Sequence, residues 1–175
     1  FGRTEADEEI QDLLQFSQGL NLGLHYLSGA ITYDASVNDC DALLASKIVW
    51  LDAFITNVDR TFRNTNLLVW HKELWLIDHG AAFYFHHSWN NWENSAKTPF
   101  PLIKDHVLLA KATKLDEVHS EFTRKLNPEA LRKITDLIPE EWLQWEDGSL
   151  KPDDIKEVYF QFLSTRLTNA ELFLK

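Results

Sequence analysis

Asp59 and Asn64 share one polar loop, Asn57-Val-Asp-Arg-Thr-Phe-Arg-Asn-Thr-Asn66, and Asp78 stands at the end of an apolar run a short way beyond it. A loop, a β-hairpin and a second acidic residue can bring these three oxygen-bearing side chains to one point. Hard cations such as Mg²⁺ bind through one or two carboxylates, side-chain carbonyls, waters and substrate phosphates. Phosphoryl transfer needs such a metal and a carboxylate that orients the attacking hydroxyl. The plain alternative is that all three are loop-capping and turn residues, since Asp and Asn favour such places. Their order along the chain, loop then hairpin then Asp78-His79-Gly80, favours the metal site, and Gly80 would let the backbone turn sharply beside it.

Supporting residues surround this set. Asp52 interrupts an apolar helical stretch and must find a partner if buried. Arg60 can contact phosphate, but pairing with Asp52 or Asp78 is the preferred reading. Asn57 is read as fixing the loop backbone, and Asn66 competes with Asn64 for the role of ligand. His71, His79, His86 and His87 raise a zinc reading, yet they lack a recognised ligand spacing and Cys40 stands alone. His79 is read as part of the Asp-His-Gly turn.

The elements that position these residues are legible in outline. Glu5 to Gln18 has a helical pattern with Ile10, Leu13, Leu14 and Phe16 apolar. Asn21 to Tyr33 reads as loop with short extended or helical pieces. Asp41 to Thr56, capped by Asn38 or Asp39, is apolar nearly all round, with Leu44, Ile48, Leu51 and Ile55 on one stripe, which predicts a buried spine helix. Leu67–Trp70 and Leu74–Ile77 read as a strand pair joined by His71-Lys72-Glu73. Ser88 to Pro101, rich in Asn and Pro, reads as loop. Trp89 and Trp92 within it either form a substrate segment or pin the loop to the core. Residues 102–175 read as helical support. Asn127-Pro128 opens one helix with Leu131, Ile134 and Leu137 as its stripe, and Pro152 opens the last, burying Ile155, Tyr159, Phe162, Leu163, Leu167, Ala170 and Leu174. The predicted class is mainly α with a small β-hairpin, an α+β fold.

Asn57-Val-Asp-Arg-Thr-Phe-Arg-Asn64 resembles the catalytic loop of the HipA-like kinases and, more distantly, of the phosphatidylinositol 3/4-kinases. Their pattern, Asp-Arg-His-x-x-Asn, is a relative of the protein-kinase catalytic loop. Leu76-Ile77-Asp78-His79-Gly80 resembles their metal-binding strand end. The resemblance is carried from about Trp50 to His87, extends back to Glu9 and fades past Trp92. It implies that Asp59 is the catalytic base, that Asn64 and Asp78 hold Mg²⁺, and that ATP and a hydroxyl-bearing acceptor, protein Ser or Thr first, are the substrates. Thr61 stands where the wider family often has His, which bears on loop support. No glycine-rich phosphate loop or strand lysine is recognisable, and residues 1–40 are too few to hold one. The expectation is a protein-kinase-like C-terminal lobe over residues 1–175, with the nucleotide-covering N-lobe elsewhere. A kinase-derived binding module, or an aminoglycoside- or choline-kinase-like enzyme, or one acting on a lipid or small-molecule hydroxyl, are the alternatives.

Composition agrees with one folded domain: 45% hydrophobic and 25% charged, in 175 residues. A net charge of -10 repels a phosphate backbone and disfavours nucleic-acid binding. No apolar run is long enough to span a bilayer. The single cysteine fits a reducing compartment, so cytoplasm is expected. The chain opens on Phe1 and has no methionine, which reads as a piece of something longer or a sequence with methionine positions left out.

Overall fold

The central helix begins where Asp41 stops the chain from wandering. Its carboxylate accepts hydrogen bonds from the Leu43 and Leu44 amides, both at 3.0 Å, and α2 (Ala42–Phe54) follows. The cap is Asp41, not Asn38 or Asp39, because those two are already committed. Asn38 Oδ1 accepts from the Asp34 amide, and Asp39 Oδ1 accepts from the Cys40 amide and Lys111. The structure is a computed structural model that describes residues 8–144 and 149–173.

Helix α2 is the spine, as its composition predicts, but the stripe differs. Ala45, Ser46, Ile48, Val49, Trp50, Asp52, Ala53 and Phe54 are buried, whereas Leu44 is 37% exposed. Two hydrophobic clusters share this helix. One joins its C-terminal half to Phe85, Phe100, Val118, Leu131, Phe162 and Phe173. The other joins its N-terminal half to Tyr33, Leu67, Val107 and Leu108. A helix wedged between two cores cannot shift without disturbing both, so the loop at its C-terminus starts from a fixed point.

Strands β1 (Ile31–Thr32), β2 (Leu67–Trp70) and β3 (Glu73–Leu76) form an antiparallel sheet in the order β1-β2-β3. The hairpin register pairs Leu67 with Leu76 and Trp70 with Glu73. Its turn is therefore the two residues His71-Lys72, one shorter than predicted, with φ of 48° and 68°. Positive φ at both central positions is the hairpin geometry that matches strand twist, adopted here without glycine. Alternation sorts the faces: Leu67, Val69, Leu74 and Leu76 pack on the second core cluster, while Leu68, Trp75 and Ile77 fall on the opposite face.

The stretch read as loop after Ser88 is largely helical. Short 3-10 turns on either side of a kink at Ser88 (φ -146°, ψ 55°) make up Tyr84–Asn91 and lead into α3 (Trp92–Lys97) and a further 3-10 turn at Pro101–Asp105. Local composition loses here to packing, because Phe85 packs on Phe162 and Trp89 sits edge-on to Tyr159 of the last helix. Helix α4 (Leu115–Lys125) packs on α2, and α5 (Pro128–Asp136) packs on α6 (Pro152–Thr168). Asn127 caps α5 through the Ala130 amide as expected. Its buried positions are Leu131 and Thr135, however, with Ile134 and Leu137 left exposed. In α6, Ile155, Phe162 and Leu163 are buried, Tyr159 and Leu167 are half-buried, and Leu174 lies outside the described residues. Helix α1 (Glu8–Phe16) forms, yet Ile10, Leu13, Leu14 and Phe16 stay exposed. Among the described residues no helix is long and apolar enough to cross a membrane.

Arg166 closes the other end of the spine. It is buried, and its guanidinium donates to the carbonyls of Ala53 and Phe54 at 2.7 Å each and to that of Thr98 at 3.3 Å. Burial pulls its pKa down to about 10. A cation at the C-terminus of α2 meets the negative end of the helix dipole and adds hydrogen bonds to the last carbonyls of the helix. The orientation of α2 has a direct test. Ile48→Asp places an unpaired charge in the core and is expected to cost about 4 kcal/mol or more. Leu44→Asp, in the exposed first turn, is expected to change stability by less than about 0.5 kcal/mol. Urea unfolding of both variants checks this, and equal losses would contradict the placement.

Candidate active site

Asp52 is fully buried on α2 and gathers three partners. Its Oδ2 accepts from Arg60 Nε at 2.6 Å and lies 2.9 Å from His106 Nε2, while Oδ1 accepts from Asn57 Nδ2 at 2.9 Å. Of the two partners considered for Arg60, the structure thus shows Asp52. Burial alone would raise the carboxyl pKa; the His106 hydrogen bond, the Arg60 charge and the Asn57 amide outweigh it and hold the group below its ordinary value.

The loop leaves α2 through Thr56, whose φ is 55°. The Asn57 amide donates to the Asp52 carbonyl at 2.8 Å, and Asn57 Oδ1 accepts from the Asp59 amide at 3.3 Å. Asn57 therefore holds both the backbone and the carboxylate at the start of the loop. The Asp59 carboxylate, half-buried, accepts through Oδ2 from Asn64 Nδ2 at 2.8 Å and from Asn66 Nδ2 at 3.2 Å. The loop closes on itself where the Thr61 amide donates to the Asn64 carbonyl at 2.9 Å. Asn66 is 8% exposed with φ 46°, and its carbonyl accepts from the Ile77 amide at 3.0 Å and from Arg60 Nη1. Asn64 is exposed. Of the two asparagines, Asn64 has the outward side chain and Asn66 is built into the scaffold.

Asp78 follows β3 and takes the left-handed conformation itself, with φ 47°. The sharp turn expected of Gly80 thus falls two residues earlier, at a residue type that tolerates this region because its short side chain bonds locally. Asp78 Oδ1 accepts from the Gly80 amide at 3.3 Å, and a Cβ at Gly80 would sit 3.2 Å from that oxygen. Gly80 gives the carboxylate room. His79 turns back so that its Nε2 lies 3.1 Å from Arg60 Nη2. Loss of water around the ring, and then the Arg60 charge, lower its pKa.

Asn64, Asn66, Ile77, Leu68 and Thr32 line an open cleft of about 770 Å³, with Arg63 on its wall. Asp59 and Asp78 are not lining residues; they adjoin the cleft through their neighbours Asn66 and Ile77. The cleft thus rests on the outer sheet face and ends at the loop that carries the candidate donors. Carboxylate and carboxamide oxygens are the donors Mg²⁺ takes, so the residue set fits that ion chemically. The histidines are drawn to separate partners instead: His79 to Arg60, His86 to Tyr159 at 2.9 Å and His87 to Tyr84. Trp89 and Trp92 are half-buried and pack on the aromatic core, away from the lining of this cleft.

A family model described as HipA-like kinase matches residues 5–172. That span holds both motifs and nearly all of the chain, and the chain belongs to the HipA-like kinase family. Comparison with curated proteins and with solved structures found no match.

His106 escaped the sequence reading. Asp52 demanded a buried partner, but no spacing rule connects position 52 to position 106, and His106 sits in a stretch read only as support. The Asp52 carboxyl makes stability depend on pH in a stated direction. Because its folded pKa lies below the unfolded value, its contribution is present above about pH 4 and is lost as pH falls through the folded value. Asp52→Ala, which strands Arg60, is expected to cost about 3–5 kcal/mol at neutral pH. The gap between wild type and Asp52→Asn in thermal unfolding is expected to narrow as pH drops below about 4. A gap that is constant from neutral pH to strong acid would contradict the buried carboxylate.

Proposed function

We propose that residues 57–80 are the base-and-metal half of a kinase site that uses Mg²⁺·ATP and transfers the γ-phosphoryl group to a hydroxyl, protein Ser or Thr in the first instance. The observation that supports it is the hydrogen bond of Asn64 to the Asp59 carboxylate, on a loop that Arg60 clamps to the Asp78-His79 turn at the end of an open cleft. In this reading the chain is a kinase-like C-terminal lobe. The nucleotide lies on the outer sheet face, over Leu68 and Ile77, with its phosphates toward Asn64 and Asp78.

Each residue then has a defined task. Asp59 accepts or orients the proton of the acceptor hydroxyl, its carboxylate aimed by the amide groups of Asn64 and Asn66. Asn64 and Asp78 hold the magnesium, which when bound neutralises the charge of the phosphates. Asp52, Asn57, Arg60 and His79 keep these groups in place, and Gly80 leaves space for the Asp78 carboxylate. Positioning and charge neutralisation, rather than a covalent intermediate, supply the rate.

Among the described residues no lysine lines the cleft and no glycine-rich hairpin covers it. That observation favours a second reading for the chain by itself, in which it holds nucleotide without turning it over until a covering lobe is present. A cytoplasmic location accords with this chemistry. The first experiment is an NMR titration of the chain with ATP in the presence and absence of Mg²⁺. The expected outcome is shifts at Asn64, Leu68, Ile77 and Asp78 that depend on Mg²⁺ and disappear in Asp78→Ala while the remaining spectrum stays folded. Asp59→Asn is expected to keep that binding and, once the covering lobe is supplied, to lose about 10²–10⁴-fold in turnover. Shifts confined to another surface, or indifferent to Mg²⁺, contradict the assignment.

A further inference from the structure

His106 is 4% exposed, and each of its ring nitrogens has a hydrogen-bond partner. Nδ1 lies 3.0 Å from the Leu108 amide, which can only donate, so Nδ1 is the accepting nitrogen. The ring proton is then on Nε2, 2.9 Å from Asp52 Oδ2, where it donates to the carboxylate. Two hydrogen bonds with opposite demands thus select one neutral tautomer. Arg60 remains the cation of the cluster, and Asp52 its counter-charge.

The backbone repeats the same connection. Thr61 and His106 form an antiparallel bridge, and the Val107 amide donates to the Arg60 carbonyl at 3.1 Å. The stretch 106–108 therefore runs beside the loop and bonds it through main chain, while the His106 ring holds the Asp52 carboxylate that pairs with Arg60 of that loop.

We propose that His106 is a positioning residue of the catalytic loop. Its Nε2–H holds one Asp52 oxygen, the carboxylate thereby holds Arg60, and Arg60 joins the loop of Asp59 to the strand end of Asp78. The word catalytic rests on the kinase reading above; the positioning does not. A residue of merely matching volume would fill the space but leave both the Leu108 amide and the Asp52 oxygen short of a partner.

Gln and Asn separate the two halves of the ring. His106→Gln can present an N–H at the reach of Nε2, and His106→Asn can accept from the Leu108 amide but falls short of Asp52. Long-range ¹H–¹⁵N spectra of the wild-type chain are expected to show His106 neutral with its proton on Nε2. The Arg60 Nε–H resonance is expected to persist in His106→Gln and to shift or vanish in His106→Asn. With Mn²⁺ and ATP as the probe, His106→Asn is expected to lose roughly 10- to 100-fold in metal affinity and His106→Gln far less. A proton on Nδ1 or on both nitrogens, or an Arg60 signal that responds equally to both variants, overturns the proposal. If His106→Asn does not fold, the wild-type tautomer and the His106→Gln signal still decide it. Absence of any metal-dependent nucleotide binding in the wild type defeats the kinase reading alone, because the tautomer and Arg60 readouts need no nucleotide.

Discussion

Arg60 lies within hydrogen-bonding reach of three separate stretches of chain: Asp52 on α2, the Asn66 carbonyl where the loop meets β2, and His79 in the Asp-His-Gly turn. A planar guanidinium presents its donors in a fixed fork, so the three acceptors are held at set angles as well as set distances. The β2–β3 ladder, with Leu67 paired to Leu76, and the Ile77 amide on the same Asn66 carbonyl set the loop's end beside the strand end that carries Asp78. Within that frame Arg60 fixes how the loop interior meets the Asp-His-Gly turn, so geometry at the candidate site depends on this buried cation. That cation in turn depends on Asp52, since a guanidinium sealed from water without a counter-charge costs several kcal/mol.

The rest of the fold serves this point. Helix α2 presents Asp52 from between two hydrophobic clusters, and Arg166 ties its C-terminus to α6 and to the chain at Thr98. Phe83 and Tyr84, just past the Asp78-His79-Gly80 turn, donate their amides to the Ile55 carbonyl and the Thr56 hydroxyl. The stretches on either side of the site are thus fastened to the same end of the same helix. Such a pattern anchors the loop of Asp59 and Asn64 and the turn of Asp78 to one helix end before any ligand arrives, a fixed frame of the kind preorganised binding requires.

Elements and motifs were legible where local rules govern them. The apolar run of α2, the strand pair on either side of His71-Lys72 and the Asn127-Pro128 helix start all follow from short-range pattern. The motif residues were legible because the loop resembles a known family over a short, ordered string. What escaped was decided by distant partners. Tyr84–Lys97 is helical on both sides of a kink at Ser88 because Phe85 and Trp89 find Phe162 and Tyr159 in α6, more than sixty residues on by sequence number. The positive φ at Asp78 in place of Gly80 is the local exception, since its own carboxylate bonds back to the Gly80 amide two residues on. His106 pairs with Asp52 across the whole site, and no periodicity in the sequence announces it.

Hydrogen exchange on Arg60→Lys tests the clamp most directly. Lysine keeps a charge beside Asp52 but has no fork to reach Asn66 and His79 as well. If Arg60 joins the two halves, the α2 amides keep their protection while the Ile77 amide, bonded to the Asn66 carbonyl, exchanges faster together with those of residues 78–80. Unchanged exchange at Ile77, or a uniform loss across α2 and the sheet alike, would contradict it.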